Sequence, residues 1–231
     1  MLERHAFDSR AELADALSAA IVRKLSAGIA RRGEASLAVS GGSTPALLFE
    51  KLSASTGLDW SKVTVTLVDE RWVDERSDRS NAGLVKRTLL QGAAIAARFA
   101  PLFGGGANPG ADTIAEVNEA LASIPRPFDA VILGMGNDGH TASFFPGGDT
   151  LDLALTDPGP VIALEAPGAG EPRVTWTLPR LMDTDALYLH IEGAAKSDTL
   201  DRALSDGPVA EMPVRAVLRQ EKVAVHVYWA A

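Results

Sequence analysis

Seven short, near-continuously apolar runs punctuate the chain, at residues 36–40, 63–68, 128–133, 161–164, 174–177, 186–191 and 223–228. A run with no polar face has nothing to present to water, so each predicts a strand buried on both sides. Segments of helical period lie between them. Over residues 11–30, Leu13, Leu17, Ala20, Ile21 and Leu25 recur at helical spacing, with Glu12, Asp15, Arg23 and Lys24 mostly on the other side and Gly33 as the stop. A second helical segment covers 112–124, before the breaker run Pro125-Arg126-Pro127. This alternation predicts an α/β fold, a mostly parallel sheet covered by helices on both faces. The 231 residues read as a single α/β domain with room for a small appended lobe. The Pro- and Gly-rich stretch 157–172 is expected to be a surface loop rather than a domain boundary.

Composition narrows the function. The chain has no cysteine, which excludes a disulfide framework, a thiolate metal site and a cysteine nucleophile. A net charge of -8, from 22 Lys+Arg against 30 Asp+Glu, argues against nucleic acid and anionic membranes as partners. An anionic small molecule would need a few arginines and lysines gathered locally. The first residues carry charges where a signal peptide needs its apolar run, and no apolar stretch approaches the roughly 20 residues of a membrane span, so a cytoplasmic location is expected. No pattern in the sequence dictates an oligomeric state.

Ligands of open α/β sheets bind beyond the carboxyl ends of the strands, and three of the runs end in unusual polar loops. The first passes into Ser40-Gly41-Gly42-Ser43-Thr44-Pro45. Two glycines let the backbone approach an anion, the hydroxyls donate hydrogen bonds, and Pro45 suits the first turn of a following helix. The second ends in Asp69-Glu70-Arg71-Trp72-Val73, where buried charges must pair or bind something and Arg71 offers a planar fork to a carboxylate or phosphate. Residues 74–81 then read as a solvated loop leading to a helix capped near Ser80.

The third run ends in Gly134-Met135-Gly136-Asn137-Asp138-Gly139-His140-Thr141-Ala142-Ser143. Gly134, Gly136 and Gly139 spell a dinucleotide fingerprint, but Pro146-Gly147-Gly148 interrupts the helix that a pyrophosphate seat requires. What remains is a glycine-loosened loop presenting Asp138 and His140. An imidazole shuttles protons near neutral pH, and a nearby carboxylate holds its tautomer. His5, His190 and His226 read as structural. No two histidines sit at ligand spacing in the sequence, so no metal site is expected, and no G-x-S-x-G elbow is present.

In order and spacing, Ser40 to Pro45, Asp69 to Val73 with Ser80-Asn81, and Gly134 to Ser143 resemble the 6-phosphogluconolactonases. Arg173-Val-Thr-Trp-Thr-Leu178 and Gly193-Ala-Ala-Lys196 fit the same pattern, and the resemblance spans nearly the whole chain. It implies a modified Rossmann-like fold and hydrolysis of 6-phospho-D-glucono-1,5-lactone in the oxidative pentose phosphate pathway, without a cofactor. It implies His140 as the base acting on water, Asp138 as its support, and Arg71, Arg173 and Lys196 as the cations around phosphate and lactone. The backbone amides of Gly41, Gly42, Ser43 and Thr44 complete the cradle.

Glucosamine-6-phosphate deaminase-isomerases resemble the chain at Ser40 to Pro45 and at Asp138-Gly139-His140. They carry a tyrosine in place of Arg71, however, and a glutamate where this chain has Phe145. A non-catalytic sugar-phosphate sensor would keep the cations but would not need the Asp138–His140 pair.

Overall fold

The structure, a computed structural model, describes residues 1–231. In chain order the elements are β1 (Leu2–Phe7), α1 (Arg10–Arg32), β2 (Ala35–Val39), α2 (Ala46–Ser53), β3 (Val63–Leu67), β4 (Asp69–Arg71), α3 (Asn81–Thr88), β5 (Arg98–Ala100) and α4 (Ala111–Leu121). They continue with β6 (Ala130–Leu133), α5 (Leu151–Thr156), β7 (Val161–Leu164), β8 (Arg173–Trp176), α6 (Leu178–Leu181), β9 (Leu187–Glu192), α7 (Ala194–Leu204), α8 (Val214–Arg219) and β10 (Val225–Ala230).

Seven strands form one sheet in the order β1-β10-β9-β6-β2-β3-β5, and every neighbouring pair is parallel. Every residue of β2, β3 and β6 is buried, as strands covered on both faces must be. The longest helix starts where Ser9 accepts from the Glu12 amide, and it ends at Gly33 in the left-handed region, whose N–H bonds Ile29 O. These caps satisfy backbone groups that the helix termini leave without partners.

Three features depart from the sequence reading. Residues 2–7 form an edge strand, β1, parallel to β10; none of its residues is buried, so it carries no apolar run. The runs at 161–164 and 174–177 do not join the parallel sheet. With β4 they form a separate three-stranded antiparallel sheet in the order β4-β8-β7, so β7 lies inside the stretch expected to be loop. Phe128 stands before its strand and makes only an isolated bridge to Thr184.

The chain order places the site. From β2 the sheet grows outward through β3 and β5, and the chain then returns to lay β6 on the other side of β2. The order reverses between β2 and β6, and a crevice opens at such a switch point, beyond the carboxyl ends of the strands. The loops after these two strands are the Ser40–Pro45 and Gly134–Ser143 segments.

Candidate active site

A cleft of about 370 Å³ lies at this switch point. Gly41, Gly42, Ser43, Thr44, Arg71, Arg173, Lys196 and His140 all line it. Asp138 stands behind His140 rather than on the wall. Cations reach the cleft from four separate places: Arg71 from β4, Arg79 from the loop after it, Arg173 from β8 and Lys196 from the first turn of α7. Only Asp69 opposes them among the lining acids. The cleft is therefore a local basic field on an acidic protein, the condition an anionic ligand imposes.

The charged triplet at residues 69–71 divides its labour. Glu70 is 0% exposed and points away from the cleft. Its carboxylate accepts from the Arg71, Asn81 and Ala82 amides at 2.8, 2.8 and 2.7 Å and from Ser80 Oγ at 3.0 Å. Burial pushes this carboxyl up, and the four donors pull it back. Glu70 thus anchors the amino end of α3, where Ser80 also caps the Gly83 amide. Asp69 accepts from Ser143 Oγ at 2.6 Å and lies 3.8 Å from Arg173 Nη1. Arg71 donates from Nη1 to Arg79 O, while its Nε is buried without a protein partner.

Two residues hold the imidazole of His140, Asp138 at its edge and Phe145 on its face. Asp138 Oδ1 sits 2.6 Å from His140 Nδ1 and also accepts the His140 backbone amide at 3.1 Å. The bond from His140 holds the Asp138 carboxyl at about 2. An ionised carboxylate only accepts, so Nδ1 carries a proton, and in the neutral imidazole it is Nε2 that holds the lone pair. The ring of Phe145 stacks on the imidazole at 4.2 Å between centroids, and the Arg173 guanidinium lies 5.2 Å from the same ring.

The loop geometry explains its glycines. A side chain at Gly136 would overlap both His140 Nδ1 and Asp138 Oδ1. Gly139, with φ +81°, makes the tight return that closes the loop through the Gly136 N–H to His140 O bond. No helix follows these glycines until Leu151, so the loop lacks the helix amino terminus of a pyrophosphate seat.

Sequence reasoning passed over several residues of this wall. Arg79, expected in a solvated loop, lines the cleft and makes a two-pronged pair with Glu171, Nε to Oε1 at 2.7 Å and Nη2 to Oε2 at 2.9 Å. This pair holds the Glu171 carboxyl at about 2. His190, read as structural, is 3% exposed and also lines the cleft. Its Nε2 lies 3.2 Å from Glu192 Oε1, and its buried Nδ1 has no protein partner. Its position at the carboxyl end of a strand was the available signal. Burial lowers the Lys196 ammonium, and the nearby Asp138 carboxylate opposes that shift.

A parallel sheet whose switch point carries clustered cations beside an oriented imidazole defines a class of sugar-phosphate enzyme. Residues 8–229 match the model of the family described as glucosamine-6-phosphate isomerases/6-phosphogluconolactonase, and the chain belongs to that family. Within it, the similarity is to the lactonases. The chain is 51% identical to the 6-phosphogluconolactonase of Rhizobium meliloti strain 1021 over 228 residues, spanning 98% of this chain and 97% of that protein. It is 43% identical to that of Pseudomonas aeruginosa over 223 residues, 95% of this chain and 92% of the relative. The crystal structure of a 6-phosphogluconolactonase from Shewanella baltica OS155 matches with a TM-score of 0.97 at 40% identity, covering 100% of this chain and 98% of that one. A monomeric glucosamine-6-phosphate deaminase, at 16% identity and a TM-score of 0.75, shares the fold alone.

Proposed function

We propose that the protein hydrolyses 6-phospho-D-glucono-1,5-lactone to 6-phospho-D-gluconate, the lactone-opening step of the oxidative pentose phosphate pathway. The observation that carries this reading is the Asp138-oriented His140 standing in the same cleft as Arg71, Arg173 and Lys196. A phosphorylated lactone needs both: cations for its anionic end and a base for water at its carbonyl. An ester of this type hydrolyses readily, so positioning, proton transfer and support of the developing oxyanion are sufficient chemistry.

In the proposed mechanism His140 Nε2 takes a proton from water as the water oxygen bonds to the lactone carbonyl carbon. The carbonyl π electrons move onto oxygen, and the resulting anion is stabilised by the surrounding donors. Collapse re-forms the carbonyl and breaks the bond to the ring oxygen, which leaves with the proton returned by His140. The new carboxylic acid then loses its proton to solvent. Asp138 keeps Nδ1–H pointed at itself and stabilises the imidazolium that forms. The Gly41 to Thr44 segment and the cations Arg71, Arg173 and Lys196 hold phosphate and lactone in place. Phe145, stacked on His140, supplies no carboxylate, which weighs against a deaminase.

The test is a coupled assay in which glucose-6-phosphate dehydrogenase generates the lactone in place and acid release is followed with the spontaneous rate subtracted. Acceleration proportional to protein concentration is expected. A rate equal to the spontaneous one at micromolar protein would overturn the assignment.

A further inference from the structure

Glu3, His5 and His226 converge at one edge of the seven-stranded sheet, outside the cleft. Glu3 and His5 lie two residues apart on β1 and so project from the same face, and Glu3 is the direct register partner of His226 on the neighbouring β10. Glu3 Oε2 lies 3.1 Å from His226 Nδ1 and 4.0 Å from His5 Nε2, and the two imidazole nitrogens are 3.5 Å apart. None of the three lines the cleft that holds His140.

These separations have a physical meaning. Ligand atoms bonded to one zinc at about 2.0–2.1 Å with tetrahedral angles lie about 3.3–3.4 Å from one another. The observed triangle, with edges of 3.1, 3.5 and 4.0 Å, needs only a small rotation of the Glu3 carboxylate to meet that figure. The imidazoles are also held in place. His5 packs on Tyr228 at 4.7 Å between centroids, and His226 packs against Tyr188 at 5.8 Å. The side chains of all three residues are partly open to solvent, which gives an ion access and leaves a fourth position for water.

We propose that Glu3, His5 and His226 form a surface site for a divalent transition-metal ion of the zinc type, bound by two neutral imidazoles and one carboxylate. Such a donor set suits zinc, copper(II) and nickel(II), and disfavours magnesium and calcium, which take oxygen ligands. The ion would bridge the first and last strands, and its binding would stabilise the folded chain by mass action. This inference is independent of the lactonase reading.

The test uses the full chain, stripped with chelator and titrated with zinc by calorimetry and thermal melting. One equivalent should bind with a dissociation constant below about 10 µM, as expected of a preformed three-ligand site, and should raise Tm. His5→Ala and His226→Ala should each weaken binding at least tenfold, with circular dichroism reporting whether each variant is folded. His140→Ala should leave binding unchanged. Cobalt(II), whose four-coordinate complexes absorb strongly in the visible, supplies a second readout on wild-type protein alone. Absence of one-equivalent binding would overturn the site, as would wild-type affinity in folded His5→Ala or His226→Ala, or loss of binding in His140→Ala.

Discussion

Arg71 and Arg173 are direct register partners across the antiparallel strands β4 and β8, so two guanidinium-bearing residues stand side by side at the mouth of one cleft. Like charges in this relation are destabilising. Burial holds Arg173 below its ordinary pKa, Asp69 opposes that shift, and Arg71 adds to it. One carboxylate, Asp69, stands 3.8 Å from Arg173, while Arg71 Nε keeps a buried donor unused. A dianionic ligand relieves both conditions. Inorganic phosphate or 6-phosphogluconate at about a hundred times its Kd should therefore raise Tm by roughly 5–10 °C. In Lys196→Ala and Arg173→Ala, KM should rise about ten- to a hundredfold, the worth of one charged hydrogen bond. Unchanged KM in both would mean that the phosphate lies elsewhere.

His140→Ala should lower turnover by about a hundredfold or more while the protein stays folded. Gly136→Ala should do comparable damage while leaving both side chains chemically intact, because its new methyl collides with the His140–Asp138 pair. A Gly136→Ala enzyme with wild-type turnover would show that the pair's geometry does not matter. Turnover and circular dichroism on the same preparations separate this effect from misfolding.

The Asp138 carboxyl is held at about 2 against an ordinary value of 3.8, chiefly by the bond from His140. A carboxyl depressed on folding contributes stability that is present above its unfolded pKa and lost as pH falls through the folded one. Urea denaturation should therefore show wild type more stable than Asp138→Asn at about pH 5, with the gap shrinking between about pH 4 and pH 2. The side chain is 47% exposed, so solvent screening keeps the gap small. A gap that widens on acidification in that range would contradict the pairing.

Glu70 and Glu75, five positions apart, should behave oppositely. Removing the Glu70 carboxylate strands four donors at the start of α3, and each buried donor left unsatisfied costs about 1–3 kcal/mol. Glu70→Ala should lose about 3 kcal/mol or more in urea denaturation. Glu75→Ala removes only an exposed pair with Lys86 and should stay within about 0.5 kcal/mol of wild type. Equal midpoints for the two variants would refute the anchoring role of Glu70.

Chelation should leave lactone hydrolysis intact even where it strips an ion from Glu3, His5 and His226, because none of these three residues lines the cleft in which the proposed step occurs. NAD and NADP should show no saturable binding at millimolar concentration. Activity lost on chelation and restored by one specific metal would instead make His140 a ligand.

Much of this protein is legible locally. Apolar runs located β2, β3, β6, β7, β8, β9 and β10 to within about two residues, since a strand buried on both faces must be apolar whatever its neighbours are. The hydroxyl- and glycine-rich loop at 40–45 and the Asp138–His140 loop were visible for the same reason. Each is a contiguous segment whose backbone demands fall on its own residues. Strand order left no such trace. Which strands become neighbours depends on how helices pack across the whole sheet, so β7 and β8 left the parallel sheet for β4, and Arg173 arrived opposite Arg71. The division of residues 69–71 into an anchor and a cleft-facing arginine depended likewise on where α3 docked. The clearest case is the histidines. In sequence none stands at ligand spacing from another, yet parallel pairing of the two terminal strands brings His5 and His226 together across 221 positions. Buried His190, whose Nδ1 has no protein partner, reaches the cleft from β9 in the same way. Periodicity records which face of an element is buried; only closure of the sheet decides what that face meets.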